Sequence, residues 1–314
     1  MHRYALPAML LAVSVGLAAC VSEPSISGTP TSASESARPT GSQSPTDGTT
    51  TTGSTDLAGS AVVTASSEDT AAGHPAANAT DGDPTTEWAS GAGAGSSILL
   101  EWDTPQELGS IVLSDRPNPD DHVVAGTLEF SDGTTAMVPA LPNDGEPVRI
   151  DVTPRQVTSV RFTIDEVGPY TTDVGLSEIG AAPPQTIASL LGTERIFADA
   201  DGAAAILPRA LASVDETDGI RLVRVELEIE ALTGAVWPSQ SWFVMLGADG
   251  SRYPPVDDPA DEYADPIGDV VLGAGEVLTG TVHFELPSDG SGFLLGFVPV
   301  PEAAPAATWS LNAP

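Results

Sequence analysis

Short apolar and β-branched runs, separated by turn residues, fill the middle of the chain. Between residues 61 and 182 no segment keeps a helical period, and turn signals such as Asp132-Gly133 recur between the runs. Many short strands at this spacing are typical of a β-sandwich or jelly roll. The predicted strands are Ala61–Ser66, Ser97–Trp102, Ser110–Ser114, Val123–Phe130, Thr135–Ala140, Val148–Val152, Val160–Ile164 and Leu176–Ile179.

A second set of strands follows Pro183-Pro184, which we interpret as a domain boundary. From Leu222 to Glu230 apolar and charged residues alternate, so one face of this strand is apolar and the other is charged. On the strand Leu278–Leu286, His283 lies opposite the apolar side chains, and we expect it to be solvated. The spacing predicts an immunoglobulin-like sandwich. The whole pattern therefore predicts an all-β protein with two β-sandwich domains, residues 61–182 and 183–314.

The first 20 residues have a different pattern. A short basic start precedes an apolar stretch that ends at about Ala19. This stretch is shorter than the ~20 residues that span a bilayer, and it is typical of a secretory signal. Leu17-Ala18-Ala19-Cys20 resembles the lipobox of bacterial lipoproteins. The resemblance implies cleavage before Cys20, a lipid on its sulfur and anchoring to the outer face of the cell membrane; the alternatives are an ordinary secretory peptide or a buried structural cysteine.

Residues 21–60 are dominated by Ser, Thr, Pro and Gly. Such a composition buries too little apolar surface to offset the entropy of an ordered chain. We therefore predict a disordered stalk between Cys20 and the first sandwich. Cys20 is also the only cysteine of the chain, so no intramolecular disulfide can form.

The charge of the chain excludes two classes of partner. Asp and Glu number 44 against 11 basic residues, all of them arginine, and the formal net charge is −33. Nucleic-acid binding needs clustered Arg and Lys, so nucleic acid is excluded as a partner. Direct adhesion to anionic lipid is equally disfavoured. The expected contact with the membrane is therefore the lipid on Cys20.

The segment from His74 to Trp88, with Asp81-Gly82-Asp83 at its centre, resembles the opening of discoidin (coagulation factor 5/8 type C) domains and family 32 carbohydrate-binding modules. Gly175-Leu-Ser-Glu-Ile179 resembles the closing strand of the same group. The resemblance covers nearly all of residues 61–182. It implies an eight-stranded jelly roll of the galactose-binding-like type, with binding loops at one end.

The stretch Leu272–Pro287 resembles extracellular lipoprotein domains of the immunoprotective, telokin-like type. Asp249-Gly250 fits the turn that precedes this hairpin arm, and Ala307-Thr-Trp309 fits the last strand. The resemblance implies an adhesion or interaction fold without known chemistry.

No catalytic constellation stands out in the sequence. There is no Gly-x-Ser-x-Gly elbow for a serine nucleophile, no Cys/His cluster for zinc and no phosphate loop. We therefore expect a protein that is not an enzyme. The leading hypothesis is a binding module for cell-envelope or environmental glycan, and the alternative is a structural or protein-interaction lipoprotein without sugar binding.

The best candidate ligand site lies in the first domain. Asp115, Arg116 and Asn118 offer planar polar groups that suit sugar hydroxyls, and Tyr170 lies in a Gly-Pro-Tyr loop that related domains place at the same end of the fold. An aromatic ring can stack on a sugar face. The alternative is that Asp115 and Arg116 brace the loop and that Tyr170 closes the end of the barrel.

A structural calcium ion is the second candidate site. Asp81, Asp83 and Thr86 form an oxygen-rich turn, and carboxylates with carbonyls suit Ca²⁺. The resemblance implies that the acid of the closing strand, Glu178, completes the site. The alternative is an ordinary Asp-Gly turn held by side-chain-to-backbone hydrogen bonds.

Overall fold

A computed structural model of the chain describes residues 56–185, 187–256, 267–268 and 270–311. Within these ranges the chain is almost entirely β-strand, with short 3-10 turns at Ala58–Ser60, Ala76–Thr80 and Gln240–Trp242. The prediction of an all-β protein is confirmed. No helix of the described part is long and apolar enough to cross a membrane. Cys20, the signal segment and the stalk up to residue 55 lie outside the described residues.

Seven strands build the first sandwich. They are β1 (Val62–Ala65), β2 (Trp88–Ala89), β3 (Ser97–Asp115), β4 (Val123–Phe130), β5 (Thr135–Val138), β6 (Val148–Val167) and β7 (Gly175–Ala182). The long antiparallel pair β3–β6 forms the centre, with β1 and β7 on β3 and β4 on β6.

In two cases, two predicted strands form one continuous strand in the structure. Ser97–Trp102 and Ser110–Ser114 are both parts of β3, and Val148–Val152 and Val160–Ile164 are both parts of β6. Register shifts between β3 and β6 mark irregularities that bend such long strands, so that each serves two parts of the sandwich. The linking residues are mostly polar and exposed, which is why the apolar pattern breaks there.

The folded region begins before residue 61. Asp56 accepts hydrogen bonds from the backbone of Ala58 and Ala181, at 3.0 Å each. The Leu57 carbonyl accepts one from Trp102 Nε1 at 2.9 Å, and Ala58 belongs to the apolar core. Residues 56–60, which the composition assigns to the stalk, therefore pack on the first sandwich.

Ten strands follow in the second half of the chain. They are β8 (Ser189–Leu190), β9 (Arg195–Ala198), β10 (Gly202–Thr217), β11 (Ile220–Val236), β12 (Phe243–Leu246), β13 (Arg252–Tyr253), β14 (Leu272–Gly273), β15 (Val277–Pro287), β16 (Leu294–Phe297) and β17 (Ala307–Ser310). One layer contains β9, β10, β11, β14 and β15, and the other has the order β13-β12-β16-β17-β8. Their inner faces enclose a second apolar core.

Strand β9 joins the two sandwiches. It pairs in parallel with β6 and antiparallel with β10, so one hydrogen-bonded sheet runs through both halves. At this seam Arg195 Nη2 lies 2.5 Å from the buried Asp151 carboxylate. Ala198 and Ala203 also belong to the core of the first sandwich. The two halves have separate cores but share a sheet and a buried ion pair.

The burial of His283 corrects one prediction. Trp88 and Trp102 lie in the first core. His283 is 1% exposed and not solvated. The backbone of Val256 donates to the His283 carbonyl at 2.9 Å, and Pro255 forms a bridge to Phe284, so a neighbouring segment covers this part of β15. Burial accordingly lowers the pKa of His283.

Candidate functional site

Asp115, the last residue of β3, braces the loop that leads to β4. Its Oδ1 accepts from the Arg116 N–H at 2.8 Å and its Oδ2 from the Val123 N–H at 2.9 Å. The residue is only 2% exposed, and burial raises its pKa to about 6 despite these two donors. Asp115 therefore fixes both ends of the loop, which is the bracing role, and it offers little surface to a ligand.

Arg116 lies in a cage of three carboxylates. Its Nη2 donates to Glu87 Oε1 at 2.7 Å, and its Nη1 lies 3.4 Å from Asp173 Oδ2 and 3.7 Å from Asp121 Oδ2. Only 7% of the residue is exposed. Burial alone lowers the pKa of the guanidinium, but the surrounding carboxylates outweigh it and raise the pKa. Arg116 thus links three loops of the first sandwich electrostatically. We call Arg116, Glu87, Asp121 and Asp173 the arginine cluster.

Asp121 attaches the loop that carries Tyr170 to this cluster. Its Oδ1 accepts from the backbone of Thr172 at 2.9 Å and of Asp173 at 3.3 Å, and its Oδ2 accepts from Asn118 Nδ2 at 2.7 Å. The neighbouring His122 N–H donates to Thr171 Oγ1 at 3.0 Å. The Gly168 N–H also donates to the His122 carbonyl at 2.9 Å, so four hydrogen bonds connect the two loops in one arrangement.

Tyr170 is the exposed aromatic ring of this region. It is 79% exposed, although the residues that follow it are fixed to Asp121 and His122. It does not close the end of the barrel, which was the alternative role. Asn118 is half-buried beside Asp121. Of the four predicted ligand residues, Asn118 and Tyr170 reach the surface, whereas Asp115 and Arg116 lie beneath it.

Sequence reasoning missed three acids and one histidine of this site. Glu87, Asp121 and Asp173 surround Arg116, and His74 Nδ1 lies 3.5 Å from Glu87 Oε1. The side chains of His74, Glu87 and Asp173 are all partly accessible. The signal for Glu87 was its place next to Trp88 in the discoidin-like segment; Asp121 and Asp173 carry no local pattern.

The predicted calcium ligands are only partly brought together. Thr86 Oγ1 donates to Asp81 Oδ2 at 2.9 Å, and Asp83 Oδ1 accepts from the backbone and hydroxyl of Thr85. These are the hydrogen bonds of an Asp-Gly turn, in which Gly82 takes a positive φ of 79°. Within the described residues, no three His, Cys, Asp or Glu side chains form a group that could hold a metal ion.

Glu178 nevertheless retains an unused oxygen. Its Oε1 is buried without a hydrogen-bond partner, at the wall of an open cavity of about 600 Å³. Burial, and then the charges of Asp81, Asp56 and Asp83, raise the pKa of Glu178 to about 7, although the Gly82 N–H lowers it. Carboxylate oxygens are the kind of ligand that Ca²⁺ prefers. We call Glu178, Asp81, Asp56 and Asp83 the Glu178 cluster.

Comparisons with known proteins cover parts of the chain. A family model described as a domain of unknown function, DUF7402, matches residues 56–182. No curated protein matches the chain. Similar solved structures include carbohydrate-binding modules, a GH29 fucosidase of Ruminococcus gnavus and a secreted protein. A pectin-binding module is 21% identical, covering 41% of this chain and 94% of its own, with a TM-score of 0.34.

Two further structures are similar over comparable lengths. A family 32 module of a Clostridium perfringens protein, solved with GalNAc-β-1,3-galactose, is 17% identical and covers 41% of this chain and 99% of its own, with a TM-score of 0.36. The secreted protein MPT63 from Mycobacterium tuberculosis is 19% identical and covers 40% of this chain and 98% of its own, with a TM-score of 0.34.

Proposed function

We propose that this protein is a lipid-anchored, non-catalytic glycan-binding protein, and that sugar binds on the loops around Tyr170. The observation that carries the proposal is the exposure of Tyr170 on a loop that four hydrogen bonds hold to its neighbour. An exposed ring on a fixed loop loses little conformational entropy when a ligand stacks on it.

The polar groups near this ring suit sugar hydroxyls. His74, Glu87 and Asn118 present donors and acceptors that are partly accessible, and the arginine cluster beneath them keeps their positions. A single sugar makes few contacts and loses bound water, so we expect dissociation constants in the millimolar to micromolar range. In this proposal Arg116 positions the site and does not itself contact the ligand.

Anchoring to the outer face of the cell membrane is the second part of the proposal. It is supported by Leu17-Ala18-Ala19-Cys20 and by the Ser/Thr/Pro/Gly-rich stretch behind it. Lipid on Cys20 would tether the acidic folded region while the stalk keeps it away from the anionic surface. Mass spectrometry of the mature N-terminus should show acyl groups on Cys20, and Cys20→Ser should release the protein. An unmodified Cys20 or cleavage elsewhere contradicts this part.

A structural calcium ion in the first sandwich is the third part of the proposal. The support is the free Oε1 of Glu178 next to the carboxylates of Asp81 and Asp56. An ion held by Asp81 and Glu178 would neutralise their repulsion and tie the turn after residue 80 to β7, a cross-link of value in a domain without a disulfide. In this proposal Asp83 and Thr86 shape the turn through the hydrogen bonds described above.

A protein-interaction role is the second candidate function. It is favoured by exposed apolar side chains at one edge of the second sandwich, among them Trp237, Val271 and Val277. Trp237 and Val271 directly adjoin the paired residues Val236 and Leu272, so they lie just beyond the paired ends of β11 and β14. Such a patch is a feature of interaction surfaces.

A glycan array with the full chain and two variants separates these functions. Wild type and Val62→Ala, an exposed apolar position of the same sandwich, should retain the same glycans. Tyr170→Ala should lose them, because its stacking surface is gone. Equal retention by wild type and Tyr170→Ala would place the site elsewhere, and retention of no glycan by wild type would favour the protein-interaction role.

A further inference from the structure

A separate cavity of about 230 Å³ lies in the second sandwich, away from the loops of the proposed glycan site. Residues of β9, β10, β11 and β16 line it together with those that follow β11. Its aromatic side chains are Phe197, Trp237, Trp242 and Phe297, and its charged side chains are Asp199 and Asp201.

The aromatic wall is a packed cluster with one accessible member. Phe297 contacts Phe197 and Trp242 edge to face, with ring centroids 5.0 and 5.6 Å apart. Trp237, by contrast, is 48% exposed although it lines the cavity. The packed rings fix the inner wall, and Trp237 leaves an indole available to a ligand.

The two aspartates stand on a fixed turn. Asp199 Oδ1 accepts from the backbone of Asp201 at 2.9 Å and of Gly202 at 3.1 Å. The Asp199 carbonyl accepts from the Met137 N–H at 2.8 Å, and the Asp201 carbonyl from the Ala235 N–H at 2.9 Å. The turn is thus held on two sides, so the carboxylates need little ordering when a ligand arrives.

The composition of this wall selects the class of ligand. Apart from the two indole N–H groups, no side chain that lines the cavity donates a hydrogen bond, because aspartates only accept and the rest are apolar. A sugar needs donors as well as acceptors for its hydroxyls. A cation needs only acceptors and π-electrons, and aromatic rings attract ammonium groups within ~6 Å of their centroids. No arginine of the described residues lines the cavity and the chain contains no lysine, so no cation of the described part fills it.

We propose that this cavity binds the ammonium group of an organic cation, either a quaternary ammonium headgroup or a lysine side chain of another molecule. The cavity is smaller than the ~300–1,000 Å³ of pockets for drug-sized ligands, which suits a single headgroup or side chain. The carboxylates of Asp199 and Asp201 balance the charge, and the indole of Trp237 contacts the methyl or methylene groups.

Titration of the full chain with choline and with Nα-acetyl-lysine amide tests this proposal. Trp88, Trp102 and Trp309 are buried in the cores, so changes of tryptophan fluorescence report on Trp237 and Trp242. At physiological salt we expect choline to bind with a dissociation constant on the order of millimolar. The neutral tert-butyl isostere of choline should not bind, because it has the same shape without the charge.

Variants of the cavity make the result specific. Trp237→Ala should weaken choline binding by about tenfold and Trp237→Phe by less, since a smaller ring remains. Asp201→Asn should weaken it several-fold, whereas Asp289→Asn, an exposed acid elsewhere on the chain, should leave it unchanged. Because Trp237 and Asp201 are exposed, these changes should not unfold the protein.

The same titrations distinguish the two possible ligands, a quaternary ammonium headgroup and a lysine side chain. Stronger binding of choline identifies a headgroup as the ligand, and binding of the lysine probe as strong as that of choline identifies a protein side chain; either result supports the proposal. Binding of neither cation, equal binding of the neutral isostere, or unchanged affinity in both Trp237→Ala and Asp201→Asn would overturn it.

Discussion

Two groups of carboxylates in the first sandwich differ in one respect, the presence of a cation. In the arginine cluster, Glu87, Asp121 and Asp173 surround Arg116, and the pKa of the guanidinium is raised. In the Glu178 cluster, Asp81, Asp56 and Asp83 are the main charges that act on Glu178, and its pKa rises to about 7. The first group contains a cation of the chain, whereas the charges that act most strongly on Glu178 are all negative.

This difference separates a structural arrangement from a site that can respond to its surroundings. In the arginine cluster the guanidinium of Arg116 attracts all three carboxylates, and these ion pairs fix the loops around Tyr170. The Glu178 cluster can lower its energy only by taking up a proton or a cation from solution. We therefore expect the first to matter mainly for stability and the second to make stability depend on pH and on calcium.

Removal of Arg116 should produce the largest effect. Arg116→Met leaves three carboxylates without their buried partner, and breaking such a buried pair costs about 3–5 kcal/mol. Urea denaturation should show this loss of unfolding free energy. Arg209→Met is the matched control, because Arg209 forms an exposed pair with Glu228 and its loss should cost less than about 1 kcal/mol. Similar losses in the two variants would show that the arginine cluster is not structural.

The sequence marks Arg116 as a ligand residue, and on that basis Arg116→Ala is expected to abolish sugar binding without unfolding the domain. The burial of Arg116 and its three carboxylate partners make unfolding the expected result instead. Tyr170→Ala is the cleaner variant, because the ring is exposed.

Calcium should produce the second largest effect, through the Glu178 cluster. An ion at a hundred times its dissociation constant stabilises the folded chain by about 2.7 kcal/mol, so the melting temperature should rise when calcium replaces EDTA. Asp81→Ala together with Glu178→Ala should remove this rise. Asp249→Ala, in an exposed Asp-Gly turn of the second half, should keep it. Identical melting curves of wild type in EDTA and in calcium mean that there is no site.

Strands could be predicted from sequence where apolar and polar residues alternate strongly. The prediction failed where polar residues adopt strand geometry. The polar stretch within β3, around Gln106, pairs with β6 around Val157 but carries no apolar rhythm. Strand β2 has only two residues, too few for any period. His283 looked solvated because the alternation of β15 says nothing about a segment from elsewhere that covers it.

The site could be predicted less well than the fold. The polar run after the predicted strand Ser110–Ser114 and the Gly-Pro-Tyr loop pointed to Asp115, Arg116, Asn118 and Tyr170, and the structure brings the loops of these residues together. The partners of Arg116 could not be found, because 44 acidic residues give no local signal that separates a buried carboxylate from a solvated one. Only the tertiary fold places Asp173 beside Arg116, 57 positions earlier in the chain.

A smaller effect is expected from the titration of Glu178 in calcium-free buffer. Because the folded state holds this proton up to about pH 7 and the unfolded state releases it near the ordinary value of 4.5, stability falls as the pH rises between these values. Glu178→Gln avoids this loss. The shift corresponds at most to ~3 kcal/mol, and solvent screening of this partly exposed group reduces it to about 1 kcal/mol. The variant should therefore exceed wild type in stability at pH 8 and match it at pH 4.

The control for that measurement is to compare the difference in unfolding free energy between Glu178→Gln and wild type at the two pH values. Other titrating groups contribute equally to wild type and to Glu178→Gln, so they cancel. A difference of the same size at pH 4 and at pH 8 would mean that packing of the amide, and not the charge of Glu178, changes the stability.

The smallest effect on stability is expected at Tyr170, which rests on the arginine cluster without belonging to it. The ring is 79% exposed, and the hydrogen bonds that fix its loop come from Asp121 and His122. Tyr170→Ala should therefore change the unfolding free energy by no more than about 0.5 kcal/mol, as is usual for exposed positions. Urea denaturation of Tyr170→Ala and Arg116→Met in one experiment measures the smallest and the largest expected losses of unfolding free energy. A loss above about 2 kcal/mol would mean that the ring packs on the protein, and the sugar-stacking role assigned to Tyr170 would then lose its support.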